Sequence, residues 1–222
     1  MSELSMNTDT TTVVQVVTRC EYFRVGMEAL FSHDNVTLRF IHCIDDLVVD
    51  YNRPTMVLLV LDMSGPAALK EFKSAVDYLN QTYSPKKIGV LVSRYNEYLT
   101  HYISRKFHGR VTFFNSHNLE SGLFYRNFLS WLKGKAQQPM RVVSRFCDDR
   151  YRLTLKEWIT LVIPLSGETM HEISLCMGIR PQTLYQIRQN ALRKIGIGSY
   201  REFCELYLHG KVHTENSRII LR

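Results

Sequence analysis

Residues 153–195, LTLKEWITLVIPLSGETMHEISLCMGIRPQTLYQIRQNALRKI, decide the fold of the carboxyl-terminal part of this chain. Apolar residues recur there at helical spacing in three successive groups, and each group predicts one helix. Ser166-Gly167 ends the first helix and Met177-Gly178 ends the second. Pro181 is predicted to open the third helix. Proline suits the first helical position, because the N–H group that it lacks would have no partner there. Two short helices joined by a tight turn that contains glycine predict a helix-turn-helix.

The third helix has a polar face that burial does not explain. Residues 180–195 include no Asp or Glu, whereas an ordinary exposed helix mixes both signs of charge. Long amides and guanidinium groups are the side chains that pair with adenine and guanine edges in the major groove. A solvated amphipathic helix is the alternative, and the lack of acids counts against it. The residues of this face that we expect at DNA are Arg180, Gln182, Thr183, Tyr185, Gln186, Arg188, Gln189, Arg193 and Lys194.

The same stretch resembles the LuxR/NarL-type (FixJ-like) helix-turn-helix of bacterial transcription regulators. The resemblance runs without a gap and rests on spaced landmarks of that family. These are Leu153, Thr154, Glu157, Leu161, Gly167, Glu172, Ile173, Ile179, Thr183, Asn190, Lys194 and Ile195. The resemblance implies a four-helix domain over residues 153–208 that binds double-stranded DNA. It also implies that Tyr185, Gln186 and Gln189 read base edges, while the other polar residues meet phosphates or flanking bases.

Apolar strands alternate with amphipathic helices over residues 13–132. The run at 56–61, MVLLVL, is typical of a central parallel strand that is covered on both faces. Five strands and five helices in alternation predict a doubly wound parallel α/β domain. The predicted strands are 13–17, 36–44, 56–61, 88–92 and 111–114. The predicted helices are 23–31, a short helix that opens at Asp45-Asp46, one from 66 to about 83, 97–106 and 119–132.

This domain resembles the receiver of response regulators, through element order and through RPTMVLLVLDMSG at 53–65. The resemblance implies a flavodoxin-like, five-stranded sheet. It also implies an acidic pair for Mg²⁺ after the first strand, a phosphorylated Asp at the end of the third, a hydroxyl after the fourth and a Lys after the fifth. The residues at those positions are Thr18 and Arg19, Val60, Val92 or Ser93, and Asn115.

Those residues cannot perform the chemistry of a receiver. Mg²⁺ prefers carboxylate oxygens, which neither Thr18 nor Arg19 supplies, and Val60 cannot be phosphorylated. Asp62 lies two residues beyond Val60 and could replace the missing acid only if the strand were shifted. We therefore predict a pseudo-receiver, with a degenerate phosphorylation site formed by Thr18, Arg19, Val60 and Asn115.

The net charge and its distribution along the chain support DNA binding by the carboxyl-terminal part. The chain has 222 residues and a net charge of +7. Residues 141–222 contain 13 basic and 8 acidic side chains, or +5, and the first 140 contain 15 and 13, or +2. The excess lies with the predicted DNA-binding part, as neutralisation of phosphates requires. No apolar run reaches eighteen residues, so no membrane span is predicted.

Other sequence features predict a cytoplasmic protein without a cofactor. The polar amino terminus does not have the pattern of a secretory signal. Five cysteines and eight histidines show no metal-binding spacing, so we predict reduced thiols and no metal site. The chain contains no G-x-S-x-G, P-loop or dinucleotide-binding fingerprint, so we predict that it is not an enzyme.

Three further segments complete the predicted organisation. Residues 1–12 are expected to be a disordered tail, 133–152 an interdomain linker and 209–222 a mobile tail in which 219–221 is apolar enough to dock. Tyr95, Tyr98 and Tyr102 recur at helical spacing. That stripe is predicted to be core or, as the alternative, a dimer face.

These patterns favour a bacterial DNA-binding transcription regulator that acts independently of phosphorylation. Its combination of a degenerate receiver with this helix-turn-helix resembles RcsA-like and BglJ-like auxiliary regulators. That resemblance implies either a homodimer or a heterodimer with a phosphorylatable LuxR-type response regulator.

Two other hypotheses remain open. One is an interaction protein that sequesters a partner without binding DNA. It is favoured by Pro164, which should kink or end the first helix near Ile163, and by Ile187, where the family usually has His. The other is a small-molecule sensor that uses the vacated receiver pocket around Thr18, Arg19 and Val60.

Overall fold

The computed structural model describes residues 12–48, 56–63, 65–82, 87–92, 96–115, 122–135, 153–215 and 218–221. Most of the predicted amino-terminal tail and linker, with Ser93 and Tyr95, lies outside these residues.

The amino-terminal part is a five-stranded parallel sheet. Its strands are β1 (Thr12–Val17), β2 (Val36–Ile41), β3 (Met56–Leu61), β4 (Ile88–Val92) and β5 (Thr112–Asn115). Their order in the sheet is β2-β1-β3-β4-β5. This is the flavodoxin-like doubly wound order, so the predicted sheet is confirmed. Its helices are α1 (Glu21–Leu30), α2 (Pro66–Gln81), α3 (Glu97–Lys106) and α4 (Leu123–Leu132).

Each face of the sheet has its own apolar core. On one face, Val16 and Leu58 pack with Phe128 and Trp131 of α4 and with Met27 of α1. On the other face, alternate strand residues pack with α2 and α3. They include Val57, Leu59, Leu61, Val90 and Val92. The alternation follows from the period of two in a strand, which sends successive side chains to opposite faces.

The predicted helix between β2 and β3 is wrong for the residues that the structure describes there. The chain makes only a 3₁₀ turn, Ile44–Asp46, and is extended at Leu47. The buried side chain of Gln15 explains the difference. Its Nε2 donates to the carbonyl of Val48 at 2.6 Å, and the N–H of Val48 donates to Oε1 at 3.0 Å. Gln15 thereby pairs the two backbone groups that a helix would pair internally.

The carboxyl-terminal part contains α5 (Leu155–Val162), α6 (Met170–Met177), α7 (Pro181–Ile195) and α8 (Tyr200–Leu208). α5 and α6 each begin with a capping box, Thr154 with Glu157 and Thr169 with Glu172. Because Pro164 cannot continue the α-helical ladder, α5 ends at Val162 and the chain continues as a 3₁₀ turn, Ile163–Ser166.

The predicted mobile tail after residue 208 is wrong. β6 (Val212–Glu215) and β7 (Arg218–Leu221) form an antiparallel hairpin in which Val212 pairs with Leu221. Val212 and Ile219 are buried, at 0% and 2% exposed. Burial of these two apolar side chains orders the segment.

One apolar cluster joins the sheet to the carboxyl-terminal helices. It extends without a break from Leu59 and Phe72 through Tyr102 to Trp158, and onward to Phe203 and the hairpin. The two parts of the chain therefore share a core. Across the described ranges, no helix combines the length and the apolar character that a membrane span requires.

Candidate nucleic-acid interface

α7 presents one buried face and one exposed polar face. Leu184, Ala191, Leu192 and Ile195 are at most 3% exposed and pack on the rest of the helical domain. The polar residues form a stripe at helical spacing on the opposite side, which we call the α7 stripe. Its exposed members are Arg180, Gln182, Thr183, Tyr185, Gln186, Gln189, Arg193 and Lys194.

An ion pair to α5 holds the carboxyl-terminal end of α7. The Nζ atom of Lys194 donates to Oε1 and Oε2 of Glu157 at 3.0 and 2.9 Å. Burial alone would raise the pKa of the Glu157 carboxyl, but the hydrogen bonds from Lys194 and Thr154 outweigh it, so the pKa lies below its usual value. Lys194 was expected at DNA, and the structure gives it this second, structural role.

Arg188 differs from its neighbours on α7. It is half-buried, and its guanidinium carbon lies 4.1 Å from the ring centroid of Tyr200 and 4.9 Å from that of Tyr185. Its Nε atom is buried and has no hydrogen-bond partner among the described residues. The guanidinium therefore stacks between two aromatic rings instead of projecting with the α7 stripe. Sequence spacing could not show this contact, because Tyr200 belongs to α8.

The remaining basic side chains of the stripe stay on the surface. Arg180 lies directly before Pro181 at the beginning of the helix, and Arg193 lies in its last turn, where Nη1 contacts Asn190 Oδ1 at 3.3 Å. No acidic side chain lies in the first turn of α7. The stripe is therefore a positively charged surface that also carries hydrogen-bonding amides.

The degenerate receiver positions are distributed along the carboxyl ends of the strands. Thr18 and Arg19 follow β1, Val60 lies in β3, and Asn115 ends β5, where its backbone is aligned with Val92. Thr18, Arg19 and Val60 line one cavity.

Thr18, Arg19 and Val60 offer Mg²⁺ no carboxylate, so these three receiver positions do not fit the ion. The Thr18 hydroxyl accepts a hydrogen bond from the N–H of Cys20 at 3.2 Å, and Arg19 forms an ion pair with Glu71 at 2.8 Å. Val60 offers no oxygen, whereas Mg²⁺ takes oxygen ligands in near-ideal octahedral geometry. Asp62 does not line this cavity. Burial first, and then the negative charge of Asp62, raise the pKa of Tyr207 to about 12.

Tyr98 and Tyr102, the described members of the predicted tyrosine stripe, lie between the sheet and the carboxyl-terminal helices. Tyr98 Oη donates to the carbonyl of Leu153 at 3.0 Å. Tyr102 Oη donates to Glu168 Oε2 at 2.8 Å, and Lys106 forms an ion pair with the same carboxylate. Arg105 Nε donates to the carbonyl of Cys176 at 2.5 Å.

The contacts of α3 join the sheet to the carboxyl-terminal helices without covering the α7 stripe. α3 packs against α5 and α6 and leaves the α7 stripe exposed. Tyr102 is buried and Tyr98 is half-buried against the same cluster, which two parts of the chain share. Glu168 was not predicted at this interface, because a single acid in a loop carries no sequence signal of its partners.

Comparison with known proteins gives the following similarities. No family model matches the chain, and no curated protein matches it significantly. Among solved structures, the RcsB response regulator of Salmonella typhimurium is similar over 89% of this chain and 97% of its own, at 16% identity and a TM-score of 0.43. An RcsB–DNA complex is similar over 89% and 98%, at 16% identity and a TM-score of 0.43.

Full-length FixJ from B. japonicum is similar over 89% of this chain and 96% of its own, at 12% identity and a TM-score of 0.35.

Proposed function

We propose that this protein is a DNA-binding transcription regulator whose DNA binding does not depend on phosphorylation. The α7 stripe is the observation that carries the proposal. A helix that is buried on one side and bears amides and guanidinium groups without acids on the other has the dimensions and chemistry to enter a major groove.

The proposed roles follow from exposure. Tyr185, Gln186 and Gln189 occupy the centre of the stripe and read base edges. Arg180, Gln182, Thr183 and Arg193 meet phosphates or flanking bases, and Lys194 does so while it stays near Glu157. Arg188 acts on DNA through Tyr185, whose ring it supports from the side of α8.

Independence from phosphorylation is supported by the vacated receiver site. Val60 occupies the position at which a receiver has its phosphorylated aspartate. The neighbouring Thr18 and Arg19 already have partners within the domain. DNA binding is then controlled by the amount of protein, by a partner or by a ligand.

Pairing of two chains is part of the proposal. The partner is a second copy or a LuxR-type response regulator. α1 bears exposed apolar side chains, with Tyr22 92% and Val25 57% exposed, and large apolar groups in solvent favour an interaction surface. Light scattering on the protein alone, and on its mixture with a response regulator encoded by the same genome, decides between the two partners.

The rival hypothesis of an interaction protein that lacks DNA binding loses its two supports. Pro164 is accommodated by the 3₁₀ turn before α6, so the second and third helices are intact. Ile187 is half-buried and packs against the shared core. It therefore lies beside the stripe without interrupting it.

DNA binding is tested by fluorescence anisotropy with the full chain, first on fragments selected from random duplexes and then on scrambled duplexes. Gln189→Ala is expected to cost about 1–3 kcal/mol on the selected site and to leave scrambled DNA unchanged. Arg193→Ala is expected to weaken both and to reduce the salt slope by about 1. Equal losses on both DNAs for both variants would refute the division of roles, and no salt-dependent binding at all would refute the function.

A further inference from the structure

A cavity of about 410 Å³ opens where the crossover between β2 and β3 makes no helix in its described part. It lies at the carboxyl ends of β1 and β3, which lead to opposite sides of the sheet. In an open α/β sheet, such a point leaves a crevice in which ligands bind. The volume is within the range of small-molecule sites.

The interior of the cavity is apolar. Val17, Leu59 and Leu61 project into it from adjacent strands, and Ala75 of α2 and Ile44 of the 3₁₀ turn close its sides. Val17, Ile44 and Val60 are half-buried, so they expose apolar area to the cavity. A hydrocarbon chain that covered this area would replace water there.

The rim of the cavity is charged, and its formal charges balance. Arg19 and Glu71 neutralise each other in their ion pair at 2.8 Å. Of the other lining residues, Lys70 carries a positive charge and Asp45 a negative one. α2 begins in this wall at Pro66 with no acidic side chain in its first turn, so its dipole and Lys70 together favour an anion on the α2 side of the cavity.

We propose that this cavity binds an amphipathic organic acid, with its carboxylate at Lys70 and its hydrocarbon part on Val17, Ile44 and Val60. At roughly 30 Å³ per heavy atom, which is the share of a water molecule in the liquid, the cavity holds on the order of a dozen heavy atoms. A ten-carbon carboxylate has this size. The site stands whether or not α7 binds DNA, since the two use different surfaces of the chain.

The test uses the full chain with two probes that share a ten-carbon tail, decanoate and decyltrimethylammonium, in calorimetry and thermal unfolding. Decanoate is expected to bind with a 1:1 stoichiometry, to raise the melting temperature and to bind at least tenfold more tightly than the cation. Equal binding of the two probes, or no binding of decanoate, would overturn the proposal.

Two pairs of variants locate the site. Ala67→Trp places an indole in the cavity wall and is expected to reduce decanoate affinity at least tenfold, whereas Ala68→Trp changes a neighbour that does not line the cavity. Lys70→Gln is expected to remove the preference for the carboxylate, whereas Lys73→Gln on the same helix keeps it. Melting temperatures without a probe identify any variant that fails to fold. A folded Ala67→Trp protein that binds decanoate as the wild type does would place the ligand elsewhere.

Discussion

The phenol of Tyr102 on α3 donates a hydrogen bond of 2.8 Å to the Glu168 carboxylate, which lies 66 residues further along the chain, before α6. The Tyr102 side chain is fully buried and Glu168 is 8% exposed. Burial, and then the charge of Glu168, raise the pKa of Tyr102 far above its usual value, so the phenol remains a donor at any physiological pH. This contact fixes the sheet to the carboxyl-terminal helices.

Tyr102→Phe should reduce the free energy of unfolding by about 1.5–3 kcal/mol, because a buried hydrogen bond to a charged group is lost. Tyr98→Phe is the matched control. Its hydroxyl donates to a neutral carbonyl, so its loss should cost about 0.5–1.5 kcal/mol. Urea unfolding followed by circular dichroism measures both, and a larger cost for Tyr98→Phe would contradict the assignment.

Lys106→Ala should cost about 3–5 kcal/mol, because it leaves the Glu168 carboxylate buried without its cation. The Lys106 and Glu168 side chains are 13% and 6% exposed. Lys194→Ala breaks a pair in which the lysine is 46% exposed, and a pair of this kind contributes about 1 kcal/mol or less. Chemical unfolding of the two variants should therefore give clearly different midpoints, and similar midpoints would show that Glu168 is not effectively buried.

Ionised Glu157 should stabilise the folded protein, and this contribution should be lost in acid. Its pKa is depressed in the folded protein, so its contribution is fully present above the unfolded value of 4.5 and is lost as the pH falls through the folded pKa. In Glu157→Gln, stability should fall less steeply with acid below about pH 4.5 than in the wild type. Thermal unfolding between about pH 3 and pH 7 tests this, and parallel curves would show that Glu157 has no linked proton.

Ile219→Ala should destabilise the protein by about 2–5 kcal/mol, since it empties a buried site in the hairpin. Ile220 neighbours it on the same strand and is 37% exposed, so Ile220→Ala should cost far less. If differential scanning calorimetry gave equal shifts for the two variants, the hairpin would not pack through β7 in the way described.

Periodicity was sufficient to predict the strands and the long helices, because each carries its own apolar pattern. β3, β4 and α3 have the predicted bounds, and α7 begins at Pro181 as expected. The 3₁₀ turn at Ile44 could not be predicted, since it depends on Gln15, a residue 33 positions away from Val48 that forms its bonds only after the sheet has assembled. The hairpin at 212–221 could not be predicted either. Strands of four residues carry little apolar pattern, and they gain their order from tertiary burial.

The candidate DNA-binding site also has features that the sequence predicts and features that depend on the tertiary fold. The exposed side of α7 could be derived from spacing alone, because exposure on a single helix is a local property. The stacking of Arg188 on Tyr200 and the bond from Lys194 to Glu157 join different helices. No local pattern encodes such contacts, so two of the nine residues expected at DNA have structural partners that only the fold reveals.

The apolar cluster that extends from Leu59 in the sheet to Trp158 and Phe203 in the helices has a consequence for dissection of the protein. Residues 153–221 are not expected to be stable as an isolated fragment. Their excision would expose Trp158 and its apolar neighbours to water. Heat should melt the whole chain in one cooperative step. A protease that cuts between residues 135 and 153 should leave two fragments that stay associated and separate only in denaturant.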